Sequence, residues 1–207
     1  MGKLEANKQQ KLTSLLNTAF NLFTTQGVAK TSIAEISQKA GIAKGTFYLY
    51  FKDKYDIRNR LISHESSKLF KNAVADLEEF SMEKDEQLDF EEKIIFIINH
   101  IVDELNSNQT LLTFISKNLS WGIFKEALTT KVASDDINFK DVYYEMINAE
   151  DISLEEPEIM LFLIVELVSS TCYSAILYKE PADIDTIKPY LFKTVRAIIR
   201  EHTITIQ

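Results

Sequence analysis

The stretch "TSIAEISQKAGIAKGTFYLYFKDKYDI", residues 31–57, holds the most informative spacing in the chain. Ser32 and Glu35 stand as S-x-x-E. That spacing predicts a helix beginning after Ser32, with the Ser32 hydroxyl accepting from the Glu35 amide and the Glu35 carboxylate reaching back. Ile33, Ile36 and Ala40 give this helix a short apolar face, and Gly41 supplies the left-handed residue that ends it. A third, short helix is expected from about Lys44 to Phe51. Phe47 and Phe51 lie four apart, share a face and pack inward. Gly45, Tyr48 and Leu49 fall on the opposite arc, flanked by Lys44 and Thr46. Asp53 then reads as the cap of a long fourth helix, with Asp56 at its third position.

Upstream, Leu12, Leu15, Leu16, Ala19, Phe20 and Phe23 fall on one face of a 3.6-residue period, and Gly27 is a plausible stop. Two short helices joined at a glycine and braced by a longer first helix make a three-helix, homeodomain-like helix-turn-helix. Downstream, Ile57, Leu61, Leu69, Ala73, Leu77 and Phe80 line the fourth helix, and the polar run 81–89 is expected as a connection. A fifth helix carries Phe90, Ile94, Ile97, Ile98, Ile101 and Leu105 and breaks at "NSNQT" (106–110). Two or three shorter helices are expected over 110–150, a connection over 149–157, and an apolar helix from Ile159 to about Lys179. "EPAD" (180–183) breaks it. The last helix carries Ile187, Leu191, Val195 and Ile198, with Asp185 or Thr186 as cap, which puts Pro189 near its first turn, where proline costs least. The fold class expected is all-α, with about nine helices. The division expected is residues 1–53 as the helix-turn-helix head and 54–207 as a larger helical body.

Composition supports this. Of 207 residues, 45% are hydrophobic, enough for a packed core, while five glycines and three prolines leave few tight turns for a β fold. The single cysteine, Cys172, has no internal disulfide partner and reads as a buried apolar side chain in a cytoplasmic protein. The N-terminus has no apolar run of the secretory kind. Residues 159–178 are long enough to cross a membrane, but Glu166 near the middle and Ser169, Ser170, Thr171 and Ser174 after it favour a helix buried in a soluble body.

The net charge of -8 is unevenly spread. Residues 1–60 carry ten Lys or Arg and four Asp or Glu, whereas 61–207 carry thirteen and twenty-seven. A basic head on an acidic body suggests a negatively charged partner met by the head alone.

The residues "TS", "AGI", "KGTFYLYF" and "KDKYD" within 31–57 resemble the DNA-binding segment of TetR/AcrR-type transcriptional regulators. With the first helix included, the resemblance covers about 45 residues; beyond it only length, order and helicity agree. Ala43 departs from the pattern, standing where serine is frequent, so a cap oxygen is lost there. The resemblance implies that Ser32, or Thr31 beside it, caps the second helix and donates to a phosphate. It implies that Lys44 and Gly45 enter the major groove of double-stranded DNA. Thr46 and Tyr50 would contact phosphate, Tyr48 a base edge or phosphate, and Lys54 would begin the fourth helix beside the backbone. The recognition helix has no Arg, Asn or Gln, so bidentate base readout is poor and binding should depend on salt and DNA shape. Leu49 has two readings, a thymine-methyl contact or no contact at all.

The resemblance further implies a homodimer through the last two helices, a near-palindromic operator and a small-molecule effector held in the body. Candidate effector contacts are His100, Asp103, Phe114, Trp121, Phe124, Tyr144, Phe162 and Glu166. Glu166 stands in an apolar helix, where a carboxylate needs a partner or a raised pKa. A cationic ligand, a buried structural pair and a dimer seam all remain open for it. His64, His100 and His202 lie on three different helices, and no second ligand pair completes a metal site around His100 and Asp103. No catalytic motif, phosphate-binding loop or dinucleotide fingerprint is present, so no catalytic residue, metal or cofactor is expected. The reading reached is a ligand-responsive DNA-binding regulator, a repressor. The alternative is a helical enzyme or carrier using the body's cavity with an accessory head; a ligand-free dimeric scaffold is a third.

Overall fold

The computed structural model describes residues 3–84, 87–118, 139–150 and 152–204. Among them are nine helices and no strand: α1 (Lys3–Gln26), α2 (Ile33–Lys39), α3 (Lys44–Phe47), α4 (Lys54–Lys84), α5 (Phe90–Ser107), α6 (Gln109–Asn118), α7 (Phe139–Ala149), α8 (Pro157–Leu177) and α9 (Ile184–His202). The chain divides into two compact units. Its described residues up to Ser66 belong to the first, and Ser67–Lys117 and Ile137–Gln207 to the second, so α4 begins in one unit and ends in the other.

In the first unit α1 buries Leu15, Leu16, Ala19 and Phe23, as its period predicts. Gly27 and Gly41 have φ of 84° and 70°, so each turn uses the left-handed conformation that glycine adopts without strain. Ser32 caps α2, its side chain accepting from the Glu35 amide at 3.1 Å. The return half of the expected capping box is replaced. Gln26 Nε2 donates to the Glu35 carboxylate at 2.8 Å, and Lys39 pairs with it at 3.2 Å. Gln26 first, then Lys39, hold the Glu35 carboxyl below its usual range. The α-helical part of α3 is shorter than expected and ends at Phe47, with turns over 48–50. Its cap, Ala43, makes no side-chain bond. Even so, the Phe51 amide bonds the Phe47 carbonyl at 3.0 Å, so the helical sense persists. Asp53 Oδ1 accepts from the Tyr55 and Asp56 amides, and Asp56 accepts from the Lys52 amide, closing the start of α4.

In the second unit, α4 continues to Lys84, so residues 81–84 are helical and not the connection their polarity suggested. One core cluster joins Phe70, Ala73 and Leu77 of α4 to Ile97 of α5, with Val142 and Met146 of α7 against it. Asp89 and Glu92 form a complete capping box at the start of α5. The cap of α9 is Asp183, whose carboxylate accepts from the Thr186 amide at 2.9 Å, rather than Asp185 or Thr186. Starting there moves Pro189 inside the helix, past its first turn. Helices α8 and α9 pack together, and both pack on α5. Glu91 of α5 accepts from Arg200 Nε at 2.7 Å and also from Arg196, both on α9. Arg200 first, then Arg196, hold the Glu91 carboxyl below its usual range.

Helix α8 is the one described helix with the length and mean hydropathy, 1.9, of a membrane span. Its buried residues, among them Met160, Ile164, Val168 and Cys172, lie along one side. Burial pushes the Cys172 thiol up to about 12, so it stays protonated and unreactive.

Candidate nucleic-acid interface

The first unit carries a surface cleft of about 570 Å³ whose lining includes Thr31, Ser32, Lys44, Tyr48, Lys54 and Tyr55. Five of the eight residues expected to meet DNA therefore share one surface. What fixes that surface is the opposite side of the recognition segment. Phe47 and Phe51 are 0% and 1% exposed, with ring centroids 5.4 Å apart. Lys44, Gly45, Tyr48 and Leu49 are then turned outward, all of them exposed.

The roles within the cleft differ from those the resemblance implied. Thr31 is only 2% exposed. Its hydroxyl donates to the Gly27 carbonyl at 2.8 Å and accepts from Gln26. It holds the loop between α1 and α2 and does not present a donor to a phosphate. Ser32 is exposed, and because its oxygen accepts from the Glu35 amide, its own O–H remains available to an acceptor outside. Lys54 Nζ bonds the carbonyls of Val28, Ala29 and Thr31 at 3.0, 3.0 and 3.2 Å. An ammonium has three protons; all are used internally, so Lys54 clasps the α1–α2 loop to α4 and adds positive potential rather than a direct bond. Tyr50 is half-buried, its hydroxyl 3.4 Å from the Lys8 carbonyl. Thr46 is also half-buried, on the Tyr50 side of the segment.

Gly45 has no internal reason to be glycine. A Cβ placed there meets no heavy atom within 4 Å, and its φ is not positive. Tyr55 is a cleft residue that the sequence reading passed over. It is 50% exposed, with the Lys54 ammonium 5.6 Å and the Arg58 guanidinium 5.3 Å from its ring centroid. An exposed aromatic between two cations at a helix start was the available signal.

The effector candidates scatter. His100 and Asp103 line a cleft of about 300 Å³ with Phe96, Asn99 and Glu104. His100 Nδ1 lies 2.9 Å from Asp76, and Asp103 is paired with Lys188 of α9. Phe114 is buried, Tyr144 packs edge-on to Tyr143, and Phe162 is half-buried. Trp121 and Phe124 lie outside the described residues. Glu166 is exposed, so of its three readings the buried structural pair within the chain does not hold. Only the side of α8 that packs on α5 and α9 is buried, and Glu166 shares the outer arc with Ile159, Leu163 and Ser170.

Residues 15–61, which include this whole cleft, match the family model of bacterial regulatory proteins of the tetR family. That segment is similar to the tetR head. The chain is 40% identical over 55 residues to the HTH-type transcriptional regulator AcrR of Shigella flexneri, covering 27% of this chain and 26% of that one. It is 28% identical over 78 residues to a fatty acid metabolism regulator protein of Bacillus subtilis, covering 38% of this chain and 40% of that one. These matches thus span well under half of either relative. The tetR likeness extends to the second unit as fold alone. The transcriptional regulator FadR of Bacillus subtilis, solved in complex with stearoyl-CoA, superposes with a TM-score of 0.61 at 18% identity, over 90% of this chain and 98% of that one.

Proposed function

We propose that this chain is a dimeric, cytoplasmic, tetR-type transcriptional regulator: a repressor that leaves a near-palindromic operator when a small molecule binds its second unit. It is not an enzyme on this reading. The observation that carries the proposal is the division of residues 44–51 into an anchored side and an outward side. Phe47 and Phe51 are locked, whereas Lys44, Gly45, Tyr48 and Leu49 are spent on the surface of a basic unit. A glycine in a helix costs up to about 1 kcal/mol relative to alanine. With no crowding or positive φ to require it, close approach of a duplex is the use that remains for Gly45. The Lys44 ammonium, the Ser32 hydroxyl and the Tyr48 phenol supply phosphate and base-edge contacts around it.

Dimerisation through α8 and α9 is supported by the apolar side chains on their outer surfaces. Ile159 and Leu163 are 49% and 42% exposed, and Tyr190 is 71% exposed. Two heads then read half-sites one helical turn apart, about 34–36 Å. Helix α4 contributes to both units and is the natural lever. The effector must bind the two states differently, by roughly 1–3 kcal/mol in typical systems. An acyl-CoA is the first ligand class to screen, because a regulator of similar fold holds one.

The test is fluorescence anisotropy with DNA from upstream of the gene and with scrambled DNA, across a salt series. Binding that prefers the upstream duplex and weakens steeply with salt supports the proposal. Equal binding to both duplexes refutes it.

A further inference from the structure

We infer that Leu49 is a specificity-determining residue of the DNA interface, its side chain reading the C5-methyl group of a thymine in the major groove. This rests on the regulator reading above and adds the base that is read.

Leu49 is 82% exposed, an extreme reached by only one other large apolar residue described, Met82. Its direction is set by what is fixed behind it. Successive helical residues turn by about 100°. The direction opposite the buried Phe47–Phe51 pair is therefore shared by Gly45 and Leu49. The Leu49 amide bonds the Thr46 carbonyl at 3.1 Å, so this geometry carries past the last residue of α3. Lys44 and Tyr48 stand to one side of the ridge, Thr46 and Tyr50 to the other. Gly45 has no side chain, so Leu49 supplies the only one on the outermost line of the segment.

The chemistry of the groove then selects the base. Major-groove edges offer donors and acceptors at every pair, and the thymine methyl is the apolar group among them. A leucine against guanine O6 and N7, adenine N6 or cytosine N4 strips water from a polar atom and returns no hydrogen bond. Against a thymine methyl the same side chain removes apolar surface from water on both partners. Leu49 thus favours thymine and disfavours the other bases at one position, in a segment that has no Arg, Asn or Gln for bidentate readout.

The test starts from duplexes selected by the full-length protein from a randomised pool. Each thymine of the selected half-site is replaced in turn by deoxyuridine, which removes only the methyl. Affinities are compared for the wild-type protein and Leu49→Ala at one salt concentration. One thymine per half-site should matter, with about a fourfold loss for each methyl, equivalent to roughly 0.8 kcal/mol, and about sixteenfold when both half-sites are changed. Leu49→Ala should lose that discrimination while melting at the wild-type temperature, since the side chain is exposed. A deoxyuridine scan flat for the wild type, or a methyl effect undiminished in Leu49→Ala, overturns the inference and leaves the regulator reading standing. Failure of the pool to enrich any sequence overturns both.

Discussion

Residues 44–51 make barely two turns, whereas α8 runs for 21 residues. The short segment cannot hold itself as a helix, because so few residues do not repay nucleation. It depends on two aromatic anchors, while Lys44, Gly45, Tyr48 and Leu49 are left to meet something outside the protein. Helix α8 is apolar around most of its circumference, and its inner side alone supplies the packing. Both expose large apolar side chains, Leu49 and Tyr48 in one, Ile159 and Leu163 in the other. Those of the head sit among lysines, and those of α8 sit beside Glu166 and Ser170. Exposure has different meanings in the two places: a surface built for a polyanion, and a surface suited to a second copy of the chain.

Removing an anchor breaks the comparison most severely. Phe47→Ala should cost about 3–5 kcal/mol, the usual range for emptying a buried aromatic site. Chemical denaturation should show an early transition of the first unit, with loss of DNA binding, while the helical signal of the second unit persists. A single late transition at the wild-type midpoint would mean that Phe47 is not the anchor described.

Lys44→Ala tests the outward side and should leave stability within about 0.5 kcal/mol of wild type. The plot of log affinity against log salt should become shallower by about one unit for each head bound to DNA, as expected when one phosphate contact is lost. An unchanged slope would remove Lys44 from the interface.

What was legible followed from how local each constraint is. The periodicity of α1, the two left-handed glycines and the Phe47–Phe51 pair are set within a few residues, and each is where its spacing predicts. The roles of Thr31 and Lys54 were not legible, because they depend on carbonyls that only the folded loop between α1 and α2 brings within reach. The S-x-x-E spacing points Glu35 back to its own cap, but Gln26, nine residues upstream at the end of α1, takes its carboxylate. Asp183 and Asp185 both suit the start of α9, and the extended backbone at Asp183 decides between them. Glu166 shows the limit from the other side. An apolar sequence around a carboxylate does not say which side of the helix will be covered.

The second unit offers a pH test with no counterpart at the outward residues of the head. Glu91 has its carboxyl held below the usual range by Arg200 and then Arg196, so its folded pKa is lower than its unfolded one. The stabilisation is therefore present above the ordinary carboxylate pKa of about 4.3 and is lost as pH falls through the folded value. Glu91→Gln should lower stability by roughly 1–2 kcal/mol at neutral pH, since the bonds are charge-assisted but Arg200 is largely exposed. The difference from wild type should shrink on acidification below about pH 4. A gap that stays constant down to acid pH would assign the loss to packing.

The smallest effect is the most discriminating, because its two readouts move in opposite directions. Gly45 lies in α3 with no positive φ, and an added Cβ meets nothing within 4 Å. Gly45→Ala should therefore stabilise the first unit slightly, by up to about 1 kcal/mol, through better helix propensity and a less disordered unfolded chain. If glycine is there so that a duplex can come close, the same methyl should weaken operator binding even as the melting temperature rises. A purely structural role predicts the reverse, with alanine destabilising the unit and affinity following stability. Only a groove pressed against the backbone of α3 makes a residue that improves the free protein harm the complex.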